Sequence, residues 1–112
     1  MAVVGGKVRR LEIVGHSMRP TLEEGDRVLV MRSRRARPGD LVVVPDPRDG
    51  GRLMVKRVVV ASAAGLTVRG DNARASTDSR EFGPVPPTSV RGRVVYRYFP
   101  GARRGPATRL VP

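Results

Sequence analysis

Residues 52–60 read Arg-Leu-Met-Val-Lys-Arg-Val-Val-Val, and this stretch decides the fold class. Read with a period of two, Met54, Lys56, Val58 and Val60 share one face of a strand, and Leu53, Val55, Arg57 and Val59 share the other. Valine is stiff at χ1 and favours strands. A second run, Leu41-Val42-Val43-Val44, carries the same signature. Aromatic residues make up only 4% of the chain and tryptophan is absent, so valine has to supply the core. Thirteen glycines and ten prolines interrupt the 112 residues often. Together these features predict a mainly β domain with many turns.

Working outward, strands are expected at 8–14, 27–32, 41–44, 52–60, 66–69 and 90–99. Arg37-Pro38-Gly39-Asp40 is a turn signal, as is Glu24-Gly25-Asp26. Residues 45–51, PDPRDGG, read as a loop, and residues 61–65 as a turn. Ser17 to Leu22 reads as a single turn, because Pro20 lacks a donor and restricts Arg19. Residues 70–87 form a long polar loop, and loops of that length tend to be functional. The expected architecture is antiparallel, with coiled sheets forming a partly closed, barrel-like domain over residues 1–99. Residues 100–112, PGARRGPATRLVP, are expected to be a disordered basic tail.

Net charge is +12, from 22 Lys+Arg against 10 Asp+Glu. Such a balance favours anionic partners, although the preference for arginine also suits a GC-rich coding sequence. Only Lys7 and Lys56 are lysines. With no cysteine, disulfides, thiolate metal sites and a cysteine nucleophile are excluded. No apolar run approaches the ~18 residues of a membrane span. Met1 to Arg10 reads as neither a signal peptide nor an anchor. The expected location is cytoplasmic or peripheral at a membrane.

The candidate chemistry starts at Gly15-His16-Ser17-Met18. His16 is the only histidine. Consecutive side chains of an extended chain point to opposite faces, so His16 is a poor base for Ser17. A Ser-His-Asp triad within one chain is therefore disfavoured, and His16 reads as a surface loop residue. Lysine can replace histidine as the base, provided burial strips it of its proton. Lys7 lies in a polar, glycine-flanked stretch. Lys56 lies inside an apolar row, where it either snorkels outward or is buried and neutral. The loop from Gly70 adds Asp71, Asn72, Ser76, Asp78, Ser79 and Arg80, all able to bond backbone and one another. Two aspartates with no histidine make a poor transition-metal site, and neither metal nor cofactor is expected.

Four blocks, GHSMRPTLEEGDRVLV, RPGDLVVV, MVKRVVV and GDNARASTDSREFGPVP, in this order resemble the type I signal peptidase family. These are Ser-Lys endopeptidases of the clan that includes LexA-type self-cleaving repressors. The resemblance spans roughly Ile13 to Val95. It implies Ser17 as nucleophile and Lys56 as general base. It implies that Met18 and Pro20 shape the turn, and that Ser76 orients the base amine. It further implies an Asp78–Arg80 ion pair near the site and an Asp71–Arg57 pairing beside the base. Family members bind protein substrate as an added extended strand and cut after small residues.

Two features depart from the family pattern. Gly15 stands where some members place a serine hydroxyl for the oxyanion. No anchor is expected before Ser17, and such a short form is similar to the subgroup that trims the leader of nickel-type superoxide dismutase. The alternative from another class is a non-catalytic basic β-domain that binds nucleic acid or an anionic membrane surface. Few aromatics are present for base stacking. The expected partner is therefore a protein or peptide substrate, with peripheral contact to anionic membrane and no nucleic acid.

Overall fold

The computed structural model describes residues 8–33, 35–75 and 82–110. Among these residues seven strands form: β1 (Val8–Glu12), β2 (Arg27–Met31), β3 (Leu41–Asp46), β4 (Asp49–Ser62), β5 (Gly65–Arg69), β6 (Gly92–Phe99) and β7 (Gly105–Pro106). All pairings are antiparallel, in the order β1-β2-β6-β3-β4-β5, with β7 added to β6. The fold is mainly β, as the valine runs imply. It is one sheet with β1 and β5 at its ends, so it does not close into a barrel.

β3 shows why so short a chain can build a core without tryptophan. Leu41 and Val43 enter one apolar cluster with Ile13, Met18, Leu22, Val28, Val30, Val94 and Leu110. Val42 and Val44 enter a second, with Met54, Val58, Leu66, Val68, Val85 and Val90. Both faces of β3 are therefore covered, as the alternation of side chains requires. Each fully buried valine or leucine contributes about 1.5–3 kcal/mol. Pairing irregularities between β2 and β6, and between β4 and β5, add the local twist that wraps the sheet. Gly92 lies at the junction of β6 with β2. A Cβ there would sit 2.7 Å from Val30 Cγ1 and 2.9 Å from the Met31 carbonyl oxygen, so only glycine permits this approach.

Three stretches depart from expectation. The 45–51 loop is mostly strand. β3 runs to Asp46 and β4 starts at Asp49, leaving only Pro47 and Arg48 as the turn. Asp46 makes that turn tight, because its carboxylate accepts the Arg48 amide at 2.9 Å. In β4 the period of two holds for Met54, Lys56 and Val58. It then breaks, since Val58 pairs with Val68 and Val60 with Thr67, leaving Val59 as a bulge and Val60 exposed. The third is the chain end. Residues 100–110 fold back onto β6 through β7, and Leu110 is buried in the first cluster. Composition predicts disorder here. The contacts that order it come from residues distant in sequence: the buried Asp26 carboxylate accepts Arg103 Nη1 at 2.8 Å, and the Leu110 carbonyl accepts Arg57 Nη2 at 3.2 Å. No helix among the described residues is long and apolar enough to cross a membrane.

Candidate active site

The turn carrying Ser17 leaves β1 through Ile13, whose amide donates to the Asp26 carbonyl at 2.8 Å. Gly15 reverses the chain at φ +81°, the left-handed region that side chains disfavour. Its amide donates to Glu24 Oε2 at 2.8 Å. Met18 and Leu22 are almost fully buried and pin the far side of the turn, and the Leu22 amide donates to the Met18 carbonyl at 2.9 Å. Ser17 is half-buried, whereas His16 and Pro20 are exposed. The buried apolar pair thus fixes a turn whose polar residue still reaches solvent.

A second segment clamps this turn. The Asn72 amide donates to the Ser17 carbonyl at 2.9 Å, and Asn72 Nδ2 donates to the His16 carbonyl at 3.0 Å. Asp71 accepts Arg57 Nε at 2.9 Å and Nη2 at 2.8 Å, a two-pronged pairing, and also accepts the Thr21 hydroxyl. The side chains of Arg57 and Asp71 are only 17% and 6% exposed, so the pair is shielded from water. Strand β4, the Asp71 segment and the Ser17 turn are therefore tied into one unit.

Lys56 faces Val42 across the β3–β4 ladder and is only 3% exposed. Of the two outcomes the apolar row allows, burial is the one realised. Ser17 and Lys56 line one cleft of about 510 Å³. Residues 11–14 border it on one side and residues 52–56 on another, with Met18, Asp46, Arg48 and Ala75 completing it. β1 is a terminal strand of the sheet, and β5 pairs with β4 only from Arg57 onward. Both bordering runs thus retain backbone not taken up by a neighbouring strand among the described residues. Open edges of this kind accept an extended peptide. At the cleft rim, the Arg48 guanidinium and amide bond the Asp46 carboxylate and hold its pKa below the ordinary carboxylate range.

The Peptidase S24-like family model matches residues 2–95. The chain belongs to the Peptidase S24-like family. Among its relatives, mitochondrial ATP-independent inner membrane protease subunit 1a of Arabidopsis thaliana is 34% identical, over 77% of this chain and 67% of the relative. Human mitochondrial inner membrane protease subunit 1 is 28% identical, over 77% of this chain and 66% of the relative. A probable signal peptidase I-1 of Synechocystis is 26% identical, over 83% of this chain and 72% of the relative. The chain thus spans about two thirds of the protease relatives first named. These likenesses agree with the signal peptidase/LexA clan.

Within this S24-like domain, the structure brings Ser17 and Lys56 to one cleft and joins Arg57 to Asp71. Met18 lines the cleft as well as anchoring the turn, and Gly15 supplies the chain reversal. Ser76, Asp78 and Arg80 lie outside the described residues. Sequence reasoning passed over Thr21 as a positioning residue and named Asn72 as a backbone-bonding side chain without its partner. Both stand inside quoted blocks, Ser-Met-x-Pro-Thr-Leu and Gly-Asp-Asn, and their reach across 50 and 56 positions has no local signature.

Proposed function

We propose that this chain is a serine endopeptidase in which Ser17 is the nucleophile and Lys56 the general base. The observation that carries the reading is that Ser17 and a lysine only 3% exposed line the same cleft. Burial disfavours the ammonium form, which is what a lysine base needs. Neutral Lys56 takes the Ser17 hydroxyl proton as Oγ attacks the peptide carbonyl carbon. The carbonyl becomes an oxyanion, for which the Ser17 backbone N–H is the donor we assign, since the Gly15 N–H is turned to Glu24. Collapse breaks the C–N bond, and Lys56 returns the proton to the leaving amine. Lys56 then deprotonates a water that hydrolyses the acyl-enzyme. Ser76 is assigned to orient the Lys56 amine, with Asp78 and Arg80 pairing nearby. The substrate lies along the cleft as an added strand, cut after a small residue within a leader or signal peptide. Peripheral contact with an anionic membrane suits the +12 charge and the membrane proteases among the relatives.

The test is cleavage of a peptide mixture, read by mass spectrometry, with wild type beside Ser17→Ala and Lys56→Met. Leader peptides of the signal-peptide and nickel superoxide dismutase types are included. Cuts after small residues are expected, reduced at least about a thousandfold in both variants. Their rate should rise with pH as the base sheds its proton. Cuts that persist in Ser17→Ala would sink the assignment.

A further inference from the structure

We propose that the groove adjoining the Ser17 cleft is an exosite that binds an acidic stretch of the polypeptide substrate, lying to one side of the scissile bond. The inference rests on the proteolytic reading above and names a substrate class for it.

The groove has a volume of about 800 Å³. Leu11, Val30, Val43 and Leu53 give it an apolar floor, while the exposed Arg9, Arg32 and Arg91 stand among its lining residues. No carboxylate lines it among the described residues. None of the ion pairs within the described residues uses these three arginines. Elsewhere among the described residues Glu12, Glu23, Asp26, Asp40, Asp46 and Asp71 each pair with another arginine. The backbone fixes where the cations stand. Arg9 is paired with Val30 and lies two residues from Leu11 on the same face of β1. Arg32 directly follows β2, and the Arg91 amide donates to the Val43 carbonyl at 2.8 Å.

Leu11 and Leu53 line both this groove and the Ser17 cleft, so the two adjoin. A strand leaving the cleft advances ~3.3 Å per residue and presents alternate side chains to the same face. An apolar side chain seated on Leu11 and Leu53 therefore leads to positions that face Arg9, Arg32 and Arg91. Carboxylates there meet three cations in a partly enclosed groove, where charge complementarity sets both encounter and register. A concave groove with an apolar floor, adjoining the cleft, suits a chain better than the plane of a bilayer.

The test is binding, so that it does not depend on turnover. The Ser17→Ala protein is titrated by fluorescence anisotropy with a neutral peptide carrying small residues around the cut. Two matched peptides carry an Asp-Glu run before or after that core. One of the two acidic peptides is expected to bind about tenfold more tightly than the neutral one at low salt, an advantage that shrinks as salt is raised. In Arg9→Gln/Arg32→Gln/Arg91→Gln the acidic-to-neutral ratio should fall to within about twofold of one, and Arg91→Gln alone should lower it about threefold. Melting curves confirm folding, and the single variants decide the matter if the triple variant does not fold. Equal binding of all three peptides overturns the proposal, as does a ratio untouched by the substitutions. Phosphatidylglycerol vesicles that bind wild type but not the triple variant, with no preference among peptides, would assign the groove to membrane and overturn it too. Preference for an acidic peptide in a protein whose wild type cuts nothing would support the groove while sinking the Ser-Lys reading.

Discussion

Two arginine–aspartate pairs reach the turn that carries Ser17, and they meet at Thr21. Arg97 Nη1 donates to the Thr21 carbonyl at 2.8 Å and to Asp26 Oδ2 at 3.1 Å. Asp71, held by Arg57, takes the Thr21 hydroxyl. The first pair is the more deeply buried, at 9% and 2% side-chain exposure against 17% and 6%. Asp26 is also fully engaged, accepting the Glu23 amide at 2.9 Å and Arg103 at 2.8 Å. It binds the chain end to the start of β2 and has no wall in the cleft. The Arg57–Asp71 pair joins the strand bearing Lys56 to the segment that clamps Ser17. One pair therefore holds the fold together, and the other ties the strand bearing Lys56 to the turn bearing Ser17, the two residues proposed to react.

That division of labour can be broken by substitution, beginning with the larger cost. Asp26→Ala leaves Arg97 buried without its anion and should lower unfolding free energy by about 3–5 kcal/mol in urea titration. Asp26→Leu combined with Arg97→Met should lose less than the two single changes summed, because no charge is then stranded. Asp71→Ala should cost about 1–3 kcal/mol. Its kcat, measured where the protein remains fully folded, should fall at least about tenfold with KM little changed. An Asp71→Ala protein as active as wild type would erase the distinction between the pairs. Asn72→Ala removes only the side-chain bond to His16 and keeps the amide bond to Ser17. A loss of about 1 kcal/mol in thermal melting is expected.

The smallest effect belongs to Asp46, whose partner Arg48 is half exposed. Its pKa is depressed in the folded state, first by the Arg48 side chain and then by the Arg48 amide. Such a group contributes stability above the unfolded value of ~3.9, and the contribution is lost as pH falls through the folded value. Asp46→Asn should therefore cost under about 1 kcal/mol at pH 7. The difference from wild type should vanish in strongly acidic solution, as followed by melting across a pH series.

The strands were legible because valine at a period of two is a local signal, and so was the burial choice facing Lys56. β3 and β4 extend further than composition implies because Asp46 tightens their turn, a bond that only the folded hairpin displays. Asp26 read as part of a Glu-Gly-Asp turn. Nothing nearby announces Arg97, which lies 71 positions away. The chain end misled for the same reason. Its arginines look like a solvated tail until Asp26 is in place to receive one of them. Ser17 and Lys56 were singled out through the order of blocks, whereas Thr21 and Asn72 act through contacts that span the chain.

The two-sided burial of Leu41–Val44 has a further consequence for heating. Four consecutive apolar residues, uncharged and free of glycine, are a shortened version of the roughly six-residue segments that stack into cross-β fibrils. In the native sheet β3 lies between β6 and β4, so Val42 and Val43 are paired on both sides and Leu41 and Val44 on the β4 side. Asp40 on one side, with Pro45 and Asp46 on the other, act as gatekeepers that keep the sticky run short. The same four residues that hold both clusters together in the native state become exposed apolar surface on unfolding, open to contact between chains. Loss of this protein at high temperature should accordingly be irreversible and steeper at high concentration.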